Sequence, residues 1–377
     1  MRLNRTKPEG FDNPDCALIP PLVIYQPESL LPEFSKEGRS WQSAPSLTIT
    51  PNGTLWLVFS GDNATDVIGE TTSNYSVACT SKDNGVTWKE NVFVVAHEYK
   101  VRVSETLIWT APDGVLWHFW TQAFEYFDGR GGIWAMKCEN PDDDNPVFSE
   151  PKRICDGFMA NNPTVLKNGD WAFPSSIWTF IQTKYHPYPN LEHPNYYVSK
   201  DGGKSLTYVG SVEEPKATYT ESAIIERNDL SLMIFMRTDD GISQAFSYDE
   251  GKTWSKPVDF VLPSPSARFF IYKISDNILL MVTHYDFKGR NNMTALLSYD
   301  EGKTWPHRLL LDERKEVSYP NGCVAADGRI HITYDREREG AREILHASFT
   351  EKDIKNGKIT DDKSFIKRVA IKAGNEK

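Results

Sequence analysis

Residues 81–88, Ser81-Lys82-Asp83-Asn84-Gly85-Val86-Thr87-Trp88, carry the pattern Ser-x-Asp-x-Gly-x-Thr-Trp, which returns complete at 247–254 and again at 298–305. A weaker version begins at Ser199, Asp201 and Gly203 and ends in Ser205-Leu206. These are the residue types of a tight hairpin turn. Asp and Ser exchange hydrogen bonds with local backbone, Gly takes a positive φ, and Trp packs beneath the turn. Three complete matches to an eight-residue pattern assign the boxes to the outer turn of a structural repeat, with no catalytic task.

A second hairpin pattern runs between the boxes: 45–60 (PSLTITPNGTLWLVFS), 105–120 (ETLIWTAPDGVLWHFW), 163–176 (PTVLKNGDWAFPSS), 222–237 (SAIIERNDLSLMIFMR), 270–284 (FIYKISDNILLMVTH) and 321–335 (NGCVAADGRIHITYD). Their turns, at Gly53, Gly114, Gly169, Leu230, Asn277 and Gly328, lie 61, 55, 61, 47 and 51 residues apart. Short alternating runs, with 11 Trp, 16 Tyr and 19 Phe in 377 residues, read as sheet. The chain is therefore expected to be all-β. Hydrophobic residues at 39% and charged residues at 25%, with no apolar run near 18 residues, exclude a helical membrane span. Fifty-two acidic against 42 basic residues make nucleic acid a poor partner. The five cysteines form no CxxC pair and read as buried small hydrophobes. Residues 1–15 lack the apolar core of a secretory leader, which implies a cytoplasmic chain or a processed mature form.

The boxes resemble the Asp boxes of the sialidase-like (BNR-repeat) propellers, and the resemblance runs from about 41 to 334. It implies one domain over 1–377, a six-bladed β-propeller of four-stranded antiparallel blades. The second copy has Asn140-Pro141-Asp142-Asp143-Asp144 in place of a box, and the sixth has none. Because a propeller must close, the strand at about 18–26 is expected to pair with the last blade. The polar tail from about 352 to 377 is expected to hold at most a turn or two of helix.

Blades are related by rotation, so a fixed offset from each hairpin turn should mark a ring around the axis. Nine residues before the turns stand Ala44, Glu105, Ala160, Glu221, Arg268 and Tyr319; seven after stand Ser60, Thr121, Ser176, Arg237, His284 and Asp335. So many ionisable groups in a narrow channel point to a site, since buried charge is unfavourable unless paired. In sialidases a tyrosine activated by a glutamate attacks the anomeric carbon, an aspartate serves as acid/base, and three arginines hold the substrate carboxylate. Tyr319 resembles the nucleophile, Glu221 its partner, Arg237 the second arginine and Arg290 the third. A phenol needs a carboxylate to take its proton, and arginine forks bind carboxylates bidentately.

One position departs from the pattern: Ser43 stands where the first-blade motif carries an arginine. Arg39 or Arg268 is expected to substitute, or Gln42 to bind a neutral hydroxyl instead. The acid/base is expected at Asp66 or Glu70. His118, Trp120 and His284 are expected to line the cavity, with Asp335 among the substrate-binding residues. Trp109, Trp134, Trp178 and Tyr126 offer faces to sugar rings. The implied activity is that of an exo-acting retaining glycoside hydrolase removing a terminal acidic sugar, sialic or uronic, from glycans. A lyase with His284 as base, a neutral-sugar glycosidase and a carbohydrate-binding propeller are the alternatives on this scaffold. No metal-ligand cluster or cofactor fingerprint occurs, so no organic cofactor is expected, while a structural calcium ion stays compatible.

Overall fold

The computed structural model describes residues 14–25, 32–64, 69–98, 101–125, 130–177, 193–216 and 219–374. Six antiparallel sheets follow one another along the chain, and each is built from consecutive strands. Their innermost strands are Trp41–Ile49, Val101–Thr110, Thr164–Val165, Ser222–Glu226, Phe270–Ser275 and Val317–Val324. Each is joined to its neighbour by one of the six hairpin turns found in the sequence. The fold is a six-bladed β-propeller.

Six apolar clusters hold it together, one at each junction between neighbouring blades. Trp56 and Phe93 of the first blade meet Ile108 and Trp120 of the second. At the ring's seam Leu47, Phe59 and Val77 of the first blade meet Ile344 and Ile371 of the sixth. Both faces of every blade are thus buried, which is why the middle strands read as apolar runs.

This seam corrects one expectation. The N-terminal strand Leu22–Tyr25 does not join the last blade; it pairs with Lys89–Ala96, the outer strand of the first, in the register Leu22↔Ala96 to Tyr25↔Phe93. The last blade instead takes its outer strand, Phe365–Lys372, from the supposed polar tail. Closure by apolar packing needs no strand shared between the ends of the chain, so the N-terminal strand is left to cover an open edge of blade one. The expected bit of helix is Glu351–Asn356, with a capping box between Thr350 and Asp353 and Gly357 as its left-handed cap.

The boxes are outer turns, as read. In each of the first, fourth and fifth blades the box Ser accepts from the Gly N–H, at 2.9, 2.8 and 2.8 Å, and the Asp carboxylate accepts from the Thr N–H and hydroxyl. The third-blade version, with Ser205 in place of Thr, keeps the same bonds. Gly251 has φ +86°, and a Cβ there would meet the Tyr196 ring at 2.2 Å. Only glycine fits.

Candidate active site

Three innermost strands break register at one rotationally equivalent place: between Ser43 and Ser46, Ser104 and Leu107, and Ser318 and Asn321. Inside these bulges Ala44, Glu105 and Tyr319 have φ of 52°, 49° and 54°. A non-glycine residue held there costs on the order of 1–3 kcal/mol, and a bulge re-aims its side chain. In the other three blades the equivalents Ala160, Glu221 and Arg268 lie just ahead of the strand. The predicted ring is real: Arg268 donates from Nε and Nη2 to Glu221 Oε1 at 3.1 and 2.8 Å, and from Nη2 to Glu105. The Arg268 guanidinium also lies 4.4 Å from the centre of the Tyr319 ring.

Around that ring the neighbouring elements add cations. Arg237, from the second strand of blade four, donates to Glu221 Oε2 at 3.0 Å and to Ser266 Oγ at 3.2 Å. Arg290 donates to Ser318 Oγ and the Ser266 carbonyl, both at 3.2 Å, with its guanidinium 5.3 Å from the Tyr319 ring centre. Arg338 comes closest, at 3.9 Å. Its Nε donates to Asp335 Oδ1 at 3.2 Å, and Asp335 Oδ2 accepts from Ser43 Oγ at 2.6 Å and the Ala44 N–H at 3.0 Å. Tyr319 itself is 7% exposed.

The two carboxylates on Arg268 are driven apart. Burial raises the pKa of Glu105, with Arg268 opposing and Glu221 and Glu70 adding to the rise. Burial acts on Glu221 in the same direction, but Arg268 and Arg237 overcome it and hold its carboxyl well below the usual range. Arg237 feels the opposing pull of burial, Glu221 and the Tyr319 phenol, and its pKa rises. Charged hydrogen bonds in a buried setting of this kind fix geometry.

The structure brings together Tyr319, Glu221, Arg237, Arg268, Arg290 and Asp335. Glu70 stands at the rim, its side chain 40% exposed and 3.6 Å from Arg102 Nη2. Asp66, Trp178 and Tyr126 lie outside the described residues. Asp62, at the end of the strand Leu55–Asp62, is buried and accepts from Thr71, Asn74 and the Ala64 N–H, so it holds the segments on either side of Asp66 and Glu70.

Other expectations are corrected. Gln42 is fully buried, accepting from Arg39 at 2.8 Å and donating to the Arg342 carbonyl at 2.6 Å, which leaves it nothing for a substrate hydroxyl. Arg39 is buried against Phe59 and Glu90, and Arg268 is committed to two carboxylates, so neither replaces the missing first-blade cation. His284 is fully buried with Nδ1 on the Asn291 carbonyl at 2.7 Å, and burial pulls its pKa down to about 4. It braces the segment carrying Arg290. His118, Trp120 and Trp134 are buried among the blades. Sequence reasoning did not single out Arg338 or commit to Glu105. Glu105 was legible from its ring offset; Arg338 sits in the run Asp335-Arg336-Glu337-Arg338-Glu339, which reads as solvated surface.

A cavity of about 940 Å³ opens at the opposite, hairpin end of the channel, where Trp109, Thr164, Lys167, Tyr272, Lys273 and Asp276 are among its walls. None of the ring's ionisable residues lines it. Among the described residues no group of three or more His, Cys, Asp or Glu is placed to hold a metal ion.

A six-bladed propeller whose axis ends in a cluster of arginines, carboxylates and one strained tyrosine defines a sialidase-like class. Residues 87–332 match the BNR repeat-like domain, and the chain belongs to that family. It is 28% identical over 237 residues to a "Sialidase" of Bacteroides fragilis (strain YCH46), a match covering 57% of this chain and 40% of that protein's length. The Hadza microbial sialidase Hz136 superposes with a TM-score of 0.66 at 20% identity, over 83% of this chain and 66% of that one. A Dyadobacter fermentans DSM 18053 protein of unknown function gives 0.64 at 17% identity, over 88% and 97% of the two chains.

Proposed function

We propose that the chain is an exo-acting retaining glycoside hydrolase of the sialidase type, acting on a terminal acidic sugar. The observation that carries this reading is the set of guanidinium groups from Arg237, Arg268, Arg290 and Arg338 gathered about Tyr319, with Glu221 one guanidinium away. Tyr319 Oη attacks the anomeric carbon, and the bond to the aglycone oxygen breaks as the phenol proton passes to Glu221. Glu70 or Asp66 protonates the departing oxygen. Water then attacks from the face the aglycone left and gives a proton to that same carboxylate, while the bond between the anomeric carbon and Tyr319 Oη breaks and Glu221 returns its proton to the phenolate, releasing the sugar with retained configuration. A substrate carboxylate docking on Arg237 and Arg290 competes with Glu221 for Arg237, which frees a Glu221 oxygen for the phenol proton. Tyrosine suits this role because a carboxylate nucleophile would face repulsion from an anionic substrate.

The lyase alternative loses support because its base, His284, is fully buried and held through Nδ1 by the Asn291 carbonyl. Turnover of fluorogenic sialosides and uronides tests the proposal. Tyr319→Phe is expected to lower turnover at least ~10³-fold, and a fluorinated sugar substrate should leave its glycosyl mass on the peptide containing Tyr319. A Phe variant as active as the parent would overturn the tyrosine mechanism.

A further inference from the structure

We infer that Arg338 is a specificity-determining residue that contributes a guanidinium to the substrate carboxylate from the sixth blade, in place of the cation absent at Ser43. The inference rests on the reading of the site as one for an acidic sugar. Four guanidiniums surround Tyr319, but they are not equally free. Arg237 and Arg268 are bound to Glu221, and Arg268 to Glu105 as well. Among the described residues Arg338 donates from Nε to Asp335, and its Nη2 is buried with no hydrogen-bond partner. A buried guanidinium N–H left without an acceptor is unfavourable unless a ligand supplies one. A carboxylate oxygen over the phenol is the acceptor of matching charge and geometry.

The surroundings are built to hold Arg338 there. Asp335 is fully buried and ties Arg338 to Ser43 and the Ala44 N–H. The Gln42 N–H donates to the Arg338 carbonyl at 3.5 Å and the Gln42 side chain to the Arg342 carbonyl at 2.6 Å. Gln42 is therefore a positioning residue that binds the Arg338 loop to blade one. Serine at 43 is what makes room: it reaches Asp335 with a hydroxyl, where a longer cationic side chain would compete with Arg338 for the same carboxylate.

The test is calorimetric binding of N-acetylneuraminic acid and glucuronic acid, each beside its uncharged primary amide, to the parent chain, Arg338→Gln, Arg338→Lys and Arg290→Gln. Arg338→Gln should weaken the acids roughly 10–100-fold and the amides little, Arg338→Lys should fall between, and Ser43→Arg in the Arg338→Gln background should recover affinity for the acids. Thermal melts establish that each variant is folded. Equal loss for acid and amide, or acid binding untouched in Arg338→Gln while Arg290→Gln abolishes it, overturns the role of Arg338 and leaves the acidic-sugar reading standing. A parent chain that binds neither acid overturns both.

Discussion

The outer turns and the axial ring occupy equivalent places in successive blades, yet they use repetition in opposite ways. In the turns of blades one, three, four and five the same serine, aspartate and glycine make the same hydrogen bonds. At the ring six equivalent positions carry Ala44, Glu105, Ala160, Glu221, Arg268 and Tyr319, six sites with four residue types. A turn solves one local problem, so every copy keeps one answer. The ring brings unlike copies into a common space, where opposite charges must find each other, and identical residues there would repel.

Four measurements would break or sharpen that contrast. The largest effect is expected at the ring: Arg268→Met leaves Glu105 and Glu221 buried without their shared cation and should lower unfolding free energy by roughly 3–5 kcal/mol in urea titrations at pH 7. A smaller loss would mean that Arg237 alone neutralises the pair.

Glu221 and Glu105 should then differ in the pH dependence of stability. Glu221 has its pKa lowered on folding, so its contribution is present above about pH 4.3 and disappears as pH falls toward 2. Glu105 has its pKa raised, so its contribution is complete below about pH 4.3 and declines as pH rises. Glu221→Gln should flatten the acid limb of the stability curve and cost more at pH 7 than Glu105→Gln. Equal curves would contradict the division of charge between them.

Third, within the turns, Gly251→Ala should destabilise by about 2 kcal/mol or more, while Gly53→Ala, with φ +90° and open space around its Cβ, should cost about 1 kcal/mol from conformation alone. Paired thermal melts read the difference. The smallest effect is expected for Asp83→Asn. Hydrogen bonds from Thr87 hold its carboxyl at about 2, but the group is exposed, so the loss should stay near or below ~1 kcal/mol. It should fade as the pH falls below about 4 and toward 2.

How much of this was legible beforehand follows the same division. Box and hairpin period gave the blade number, and the ring offset placed Glu105, Glu221, Arg268 and Tyr319 together without coordinates, because strands of matched length carry a fixed offset to a fixed height. Loops carry no such offset. Arg338, which stands at neither ring offset, lies against Tyr319, and Gln42, expected at a substrate hydroxyl, faces the seam from an innermost strand. The N-terminal strand was recognised as a strand, while its partner was not, since an edge can be covered by either neighbour.

Residues 81–88 and their copies, by themselves, determined an all-β repeat with tight outer turns, because each turn closes through atoms at most four residues apart. Tertiary structure alone decided that Asp335 would hold Ser43 from 292 residues away, that Arg268 would reach Glu105 across 163, and that Arg338 would cover the tyrosine. The physical reason is range: turn chemistry is satisfied within one stretch of chain, whereas a buried charge can be paired only after the ring has closed and brought distant blades into contact.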